Sequence, residues 1–194
     1  FRNGADRARS GYGILTGSAR LGDRAVLIPA YQAASTIATV VARLRELHPG
    51  LGILVVDDGS RDATSENARS AGADTIRLEV NSGKGSALAT GLAALRERGF
   101  AWALAMDSDG QHLPEDAVKF LSGSFPGNTG LVVGARRLHP DSMPFPRVCS
   151  NRLTTFLLRL QAGKPLWDSQ CGYRMYRLDV LAAAYDGYVS GQGQ

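Results

Sequence analysis

Asp107-Ser108-Asp109-Gly110-Gln111-His112 follows the apolar run 101–106 and precedes Pro114-Glu115-Asp116. Apolar run, acidic turn and proline in that order read as a strand that delivers two carboxylates into a loop. Side chains alternate along an extended segment, so carboxylates two residues apart point the same way and can share one hard cation through oxygen ligands. Gln111, two residues further on, offers a third oxygen. Pro114 suits the first position of a helix, with Glu115 and Asp116 in its first turn, so the loop ends there. Taken alone, such a D-x-D is equally an acidic turn capping a helix, because Asp and Gly are ordinary turn residues.

What surrounds this stretch gives it direction. The run 25–28 reads as a buried strand ending at Pro29-Ala30-Tyr31. Ser35 or Thr36 can cap the helix that follows, where Ile37, Val40, Val41, Leu44 and Leu47 recur at helical spacing and Pro49-Gly50 closes it. A second apolar strand, 53–56, runs straight into Asp57-Asp58-Gly59-Ser60. A helix over about 63–71 with Gly72 behind it leads to a third strand near 75–78, and Asn81-Ser82-Gly83-Lys84-Gly85-Ser86 opens a helix reaching Gly99. A later strand, 131–133, carries Gly134-Ala135-Arg136-Arg137 at its end. Strands alternating with helices at this spacing predict an α/β fold with a mostly parallel sheet. In such sheets ligands bind beyond the carboxyl ends of the strands, where Pro29-Ala30-Tyr31, Asp57-Asp58, Gly83-Lys84-Gly85 and Asp107/Asp109 all fall.

The 194 residues, 44% hydrophobic and 21% charged, suffice for one well-buried domain. The stretch 1–23 mixes Gly, Arg, Ser and Ala without periodicity and is left without a function; the start at Phe1 reads as a processed product or a fragment. Residues 24–194 form the expected domain. The net charge of +4 rests on 22 basic residues, nearly all Arg, which suits bidentate contact with phosphate or carboxylate and favours anionic partners. No nucleic-acid partner is expected. Cys149 and Cys171 have neither C-x-x-C spacing nor neighbouring His, which argues against a zinc site or a disulfide framework and for a reduced, cytosolic setting. No run approaches the ~18 apolar residues of a membrane span, and the N-terminus lacks a secretory core.

The phosphate-binding motifs can be tested against Gly83-Lys84-Gly85-Ser86. The Lys is followed by Gly and no Gly stands five residues before Gly83, so this is not a Walker A loop; Leu88 holds the third glycine position of a dinucleotide fingerprint. Glycines at a helix N-terminus still expose N–H groups, and Lys84 adds charge, so the loop can cradle part of an anionic ligand or be only a tight turn.

Pro29-Ala30-Tyr31, Asp57-Asp58-Gly59-Ser60, Gly83-Lys84-Gly85, Asp107-Ser108-Asp109-Gly110-Gln111-His112, Gly134-Ala135-Arg136 and Asp168-Ser169-Gln170-Cys171-Gly172-Tyr173-Arg174 resemble the ordered signature of family 2 glycosyltransferases. The branch most similar is that of dolichyl- and polyprenyl-phosphate sugar transferases, over about residues 24–180. The resemblance implies a GT-A (Rossmann-like) fold, a nucleoside-diphosphate sugar donor, Mg²⁺ or Mn²⁺, and inversion at the anomeric carbon. Carried over by position, Pro29, Ala30, Tyr31, Asp57 or Asp58, and Lys84 hold the nucleoside, while Asp107, Asp109 and Gln111 surround the metal and the diphosphate. Two departures stand out. The Q-x-x-R-W motif of processive polymerising relatives is absent, and the chain stops short of segments, sometimes membrane-spanning, that follow in relatives, so its acceptor side is expected to be incomplete.

The chemistry explains these residue types. Negative charge grows on the departing phosphate oxygens, where a divalent cation and nearby Lys or Arg stabilise it. A lipid-linked phosphate acceptor, with a second pKa of about 6, is already an anionic nucleophile and calls for arginines, here Arg136, Arg147 and Arg152. An alcohol acceptor, soluble or on a glycan, calls instead for a general base, for which Asp168 is the candidate; otherwise Asp168 braces the 170–172 turn. Cys171 reads as a small packed residue and His112 as a hydrogen-bonding loop residue rather than a metal ligand. Leu153, Phe156, Leu157 and Leu160 form a helical stripe with Arg152 and Arg159 beside it, which fits either packing on the sheet or peripheral contact with the inner face of a membrane. A sugar nucleotidyltransferase is the competing class, but it calls for a glycine-rich loop where this chain has Pro29-Ala30-Tyr31-Gln32.

Overall fold

A computed structural model of the protein describes residues 21–110, 114–134 and 173–183. Strand β1 (Arg24–Ala30) leads through helix α1 (Ile37–Leu47) to β2 (Gly52–Asp57), then through α2 (Thr64–Ser70) to β3 (Asp74–Arg77). Helix α3 (Lys84–Glu97) crosses to β4 (Trp102–Ala105), α4 (Pro114–Leu121) follows, and β5 (Leu131–Val133) and β6 (Arg174–Arg177) complete a six-stranded sheet. The spatial order is β3-β2-β1-β4-β6-β5.

Strands β1 to β4 run parallel, whereas β6 is antiparallel to both β4 and β5, which puts β5 parallel with the rest. The mostly parallel sheet expected from the βα alternation is therefore present. The sequence pattern did not anticipate β6: Arg174-Met175-Tyr176-Arg177 is four residues long and inserts between two strands that precede it in the chain.

Two cores flank the sheet because the strand period is two. Val26 and Ile28 of β1, Ile53 and Val55 of β2, and Leu104 of β4 face Ile37, Val40, Val41 and Leu44 of α1 and Ala117 and Leu121 of α4. Ala25, Leu27, Leu54, Val56 and Ala103 point the other way, onto Ala87, Leu92 and Leu95 of α3. Strands buried on both faces read as unbroken apolar runs, as 25–28 and 53–56 do. The expected helical stripe of α1 is buried at Ile37, Val40, Val41 and Leu44. Its cap differs from expectation: Thr36 occupies the N-cap position, yet neither it nor Ser35 caps the helix with a side chain.

Arg24, at the start of β1 and only 3% exposed, pins α4 to the sheet. Its guanidinium donates to the carbonyls of Phe120 and Leu121 at 2.5 and 2.9 Å and of Gly123 at 2.6 Å, satisfying acceptors that the end of a helix leaves open.

Gly91, midway along α3, packs directly against β1 and β2. A Cβ there would lie 2.2 Å from Leu27 Cδ1 and 3.0 Å from Val56 Cγ2, both on fully buried side chains. Alanine is the better helix former by about 1 kcal/mol, but overpacking a closed core costs about 1–3 kcal/mol. Gly91→Ala is therefore expected to lower the unfolding free energy by about 1 kcal/mol in a urea titration; a more stable variant would show that the α3 layer is loosely packed.

Candidate active site

The loops that leave the carboxyl ends of β1, β2 and β4 meet the N-terminus of α3 around a concavity of about 380 Å³. Pro29, Ala30 and Tyr31 line it from β1, Asp58 from β2, Asn81, Gly83, Lys84 and Ala87 from the α3 entrance, and Asp107, Ser108 and Asp109 from β4. Eight positions picked from sequence as site residues are Pro29, Ala30, Tyr31, Asp57, Asp58, Lys84, Asp107 and Asp109, and all but Asp57 line this one space.

Asp57 is turned inward. It is fully buried, and its carboxylate accepts the Ser60 amide at 2.8 Å and the Ser65 hydroxyl. Asp58, 3% exposed, does reach the concavity, but its two oxygens accept the amides of Ser82 and Gly83, each at 2.8 Å. Two N–H groups of the glycine-rich loop that sequence offers to an anionic ligand are thus engaged by the protein's own carboxylate. What Asp58 provides is the shape of the loop that presents Lys84. Gly59, at φ 70°, makes this possible, since a Cβ there would meet the Val80–Asn81 backbone at 2.7–2.8 Å.

The loop after β1 is held in the same way, from the residues following Asp58. Its successive amides, Gln32, Ala33 and Ala34, donate to Ser60 Oγ at 2.9 Å, Thr64 Oγ1 at 2.9 Å and Asp62 Oδ2 at 3.0 Å. Asn67 Nδ2 donates back to the Ala34 carbonyl at 2.8 Å. Gln32 sits at φ 53°, left-handed backbone that a residue with a Cβ rarely adopts. The network holds it there and leaves the preceding Tyr31 48% exposed over the concavity.

Asp107 and Asp109 lie beyond the last residue of β4, Ala105, Asp107 in irregular backbone and Asp109 in the bend that follows. Strand alternation therefore does not orient them, contrary to the simplest sequence argument, although both line the concavity. Lys84 Nζ is ion-paired with Asp107 Oδ1, so the ammonium from α3 and the carboxylates from β4 face each other. The donor set suits a hard divalent cation. Among the described residues no group of three or more His, Cys, Asp or Glu converges, and two carboxylates supplemented by water and phosphate oxygens are a usual provision for Mg²⁺. Asn81, Ala87 and Ser108 also line the space and were not singled out from sequence; Asn81 immediately precedes the Ser82-Gly83-Lys84 loop and Ser108 separates the two aspartates, so adjacency was their only signal. Gln111, His112, Arg136, Arg147, Arg152, Asp168 and Cys171, and the 153–160 stripe, lie outside the described residues.

An open, mostly parallel α/β sheet with an acidic concavity at its carboxyl edge is the architecture of the GT-A glycosyltransferases. Glucosyl-3-phosphoglycerate synthase from Mycobacterium tuberculosis, solved in complex with Mn²⁺, uridine diphosphate and phosphoglyceric acid, superposes with a TM-score of 0.61 at 26% identity, over 81% of this chain and 56% of that one. Residues 25–183 match the family model described as Glycosyl transferase family 2, and the chain belongs to that family. Among its relatives are an undecaprenyl-phosphate mannosyltransferase of Micrococcus luteus and a polyprenol monophosphomannose synthase of Mycolicibacterium smegmatis, each 32% identical over 165 residues. These alignments take in 81% and 80% of this chain, which spans 67% and 62% of the two relatives. A UDP-N-acetylglucosamine–dolichyl-phosphate N-acetylglucosaminyltransferase of Methanococcus voltae is 31% identical, over 80% of this chain and 70% of that protein. Among the described residues no helix is long and apolar enough to cross a membrane.

Asp62 links stability to pH. Burial pushes its carboxyl up, but hydrogen bonds from the Thr64 hydroxyl and from the amides of Ala34 and Thr64 outweigh this and leave it below the ordinary carboxylate value. A depressed folded-state pKa contributes stability above the unfolded value of about 3.9 and loses it as the pH falls through the folded one. Asp62→Asn is expected to cost about 1 kcal/mol at pH 7, with wild type and variant converging below about pH 4. A difference that stays constant from pH 7 to pH 3 would show that the carboxylate charge plays no part in holding the Ala34 loop.

Proposed function

We propose that this chain is the donor-binding and catalytic domain of a metal-dependent, inverting glycosyltransferase that moves a sugar from a nucleoside-diphosphate sugar to a polyprenyl phosphate. The observation that carries the proposal is the single concavity in which Tyr31, Asp58, Lys84, Asp107 and Asp109 meet at the carboxyl edge of the sheet. The lipid-phosphate acceptors in the names of three relatives and the Mn²⁺ and UDP in a structural neighbour support it.

In this assignment Pro29, Ala30 and Tyr31 form the nucleoside wall, Tyr31 offering an exposed aromatic face to the base. Asp58 shapes the loop that presents Lys84, whose charge lies beside the leaving diphosphate. Asp107 and Asp109, with Gln111 as the third oxygen that the sequence offers, would hold Mg²⁺ or Mn²⁺, which when bound acts as a Lewis acid on the departing phosphate oxygens. Lys84, paired here with Asp107, would offer its ammonium to a phosphate oxygen of the donor. A donor of the GDP-mannose type would supply the mannose named in two relatives, and one of the UDP-glucose type would match the UDP and the glucosyl group named for the structural neighbour. Arg136, Arg147 and Arg152 would grip the acceptor phosphate through paired hydrogen bonds, offsetting repulsion between two anionic substrates. The 153–160 stripe would rest on the inner face of the membrane that carries the lipid.

A second reading, transfer to a soluble acceptor with Asp168 as general base, is favoured by one observation: the neighbouring synthase was solved with phosphoglyceric acid. The two separate in a transfer assay offering GDP-mannose and UDP-glucose against polyprenyl phosphate and phosphoglyceric acid. Transfer is expected to the prenyl phosphate, falling at least about tenfold in Arg136→Ala while nucleotide affinity holds. Transfer to the soluble acid alone would favour the second reading. In thermal-shift measurements with Mn²⁺, GDP or UDP at about 100 times its Kd should add about 2.7 kcal/mol. The metal-dependent share should vanish when Asp107 and Asp109 are both Asn; an undiminished shift in that double variant would remove the carboxylate pair from the site.

A further inference from the structure

Past the end of β4, the last sheet bond toward the carboxylate loop is the Met106 amide donating to the Leu27 carbonyl at 3.1 Å. The loop then meets helix α1. Thr36 Oγ1 donates to the Ser108 carbonyl at 2.7 Å, a partly buried contact between residues 72 apart in sequence. That carbonyl belongs to the peptide group joining Ser108 to Asp109, so the bond grips the backbone between the two carboxylates. The Ala33 carbonyl also lies within 3.3 Å of the same hydroxyl. A hydroxyl has one proton to give, and the shorter, cross-loop acceptor is the better placed.

Two features argue that this contact sets the loop rather than decorating it. Thr36 stands at the N-cap of α1, where a threonine hydroxyl ordinarily accepts an amide of its own helix, and here it makes no such bond. Among the described residues a second polar link between α1 and this region, Arg43 Nε to Glu115 Oε1 at 2.7 Å in the first turn of α4, is exposed on both sides and is shared with Glu46. Exposed pairs of that kind contribute little. Among the described residues, Thr36 thus supplies the part-buried hydrogen bond that ties the start of α1 to the carboxylate loop.

We propose that Thr36 is a positioning residue for the carboxylate pair: its hydroxyl holds the Ser108 carbonyl and so fixes how Asp107 and Asp109 converge on one divalent cation. The inference rests on the metal-dependent assignment above. Thr36 itself is not among the residues that line the concavity, so it acts through the loop it holds. Its effect is therefore confined to metal binding and to the steps that need the metal.

The test is Mn²⁺ titration followed by electron paramagnetic resonance, with UDP and separately with GDP, on the wild-type chain and on Thr36→Val, Thr36→Ser and Thr36→Ala. Thr36→Val keeps the volume and removes the donor. It is expected to weaken Mn²⁺ binding roughly tenfold, the scale of one lost hydrogen bond, while metal-free nucleotide affinity stays within about twofold of wild type. Thr36→Ser should restore wild-type affinity, and Thr36→Ala should behave as valine does, carrying the comparison should the valine variant not fold. Equal Mn²⁺ affinity in all four proteins overturns the inference, as does a serine variant as weak as valine, which would assign the effect to the methyl group. A wild-type chain that binds no Mn²⁺ with either nucleotide would instead overturn the metal-dependent assignment itself.

Discussion

Buried and part-buried backbone amides at the carboxyl edge of the sheet need partners, and the arrangement of the site follows from how this chain pairs them. The segment from Asp57 to Asn67 acts as a hub of side-chain partners. Asp57 takes the Ser60 amide; Ser60, Asp62 and Thr64 take the amides of residues 32–34; Asp58 takes those of Ser82 and Gly83. Leaving one such group buried and unpaired costs about 1–3 kcal/mol, so the two loops flanking the concavity are held in the one arrangement that satisfies all of them. The left-handed backbone of Gln32 and the tight passage over Gly59 are conformations that only such over-determination keeps in place.

The two-sided core explains why the walls of the concavity come from different layers. Helix α1 packs on one face of the sheet with α4, and α3 packs on the other. The carboxylate loop runs from β4 into α4 and is tethered to α1, whereas Lys84 arrives with α3 from the opposite layer. Their ion pair closes the space across the sheet edge. Relative placement of cation and carboxylates therefore depends on both cores at once, and packing faults as remote as Gly91 have a route to the site through the register of α3 on β1.

The electrostatic balance is set by what each carboxylate already does. Asp57 and Asp58 are committed to amides and the Ser65 hydroxyl, which removes them as competitors for a cation, while Asp107 is half-buried and Asp109 exposed. Lys84 tempers the charge of that pair. A ligand bringing both a divalent cation and phosphate oxygens matches the two signs of charge together, which neither component alone does.

The local chain determined a good deal of this. Apolar runs punctuated by Gly, Pro and Asp are enough to place β1 to β5 and the four helices, because strand and helix periodicity is written over a few neighbouring residues. The same local signals put Tyr31, Lys84, Asp107 and Asp109 at one sheet edge, since parallel βα units send every strand end the same way. The tertiary structure alone decided the rest. Asp57 and Asp58 are adjacent, yet Asp57 turns inward to Ser60 and Ser65, while Asp58 turns to the amides of Ser82 and Gly83, 24 and 25 residues away. Strand β6 enters the sheet between β4 and β5 by pairings across 41 to 75 residues. Thr36 looks like an ordinary helix cap until the loop 72 residues later folds against it. Hydrogen-bond partners and sheet neighbours at such separations leave no periodic trace in the sequence; they are chosen when the chain closes on itself and each buried polar group finds its match.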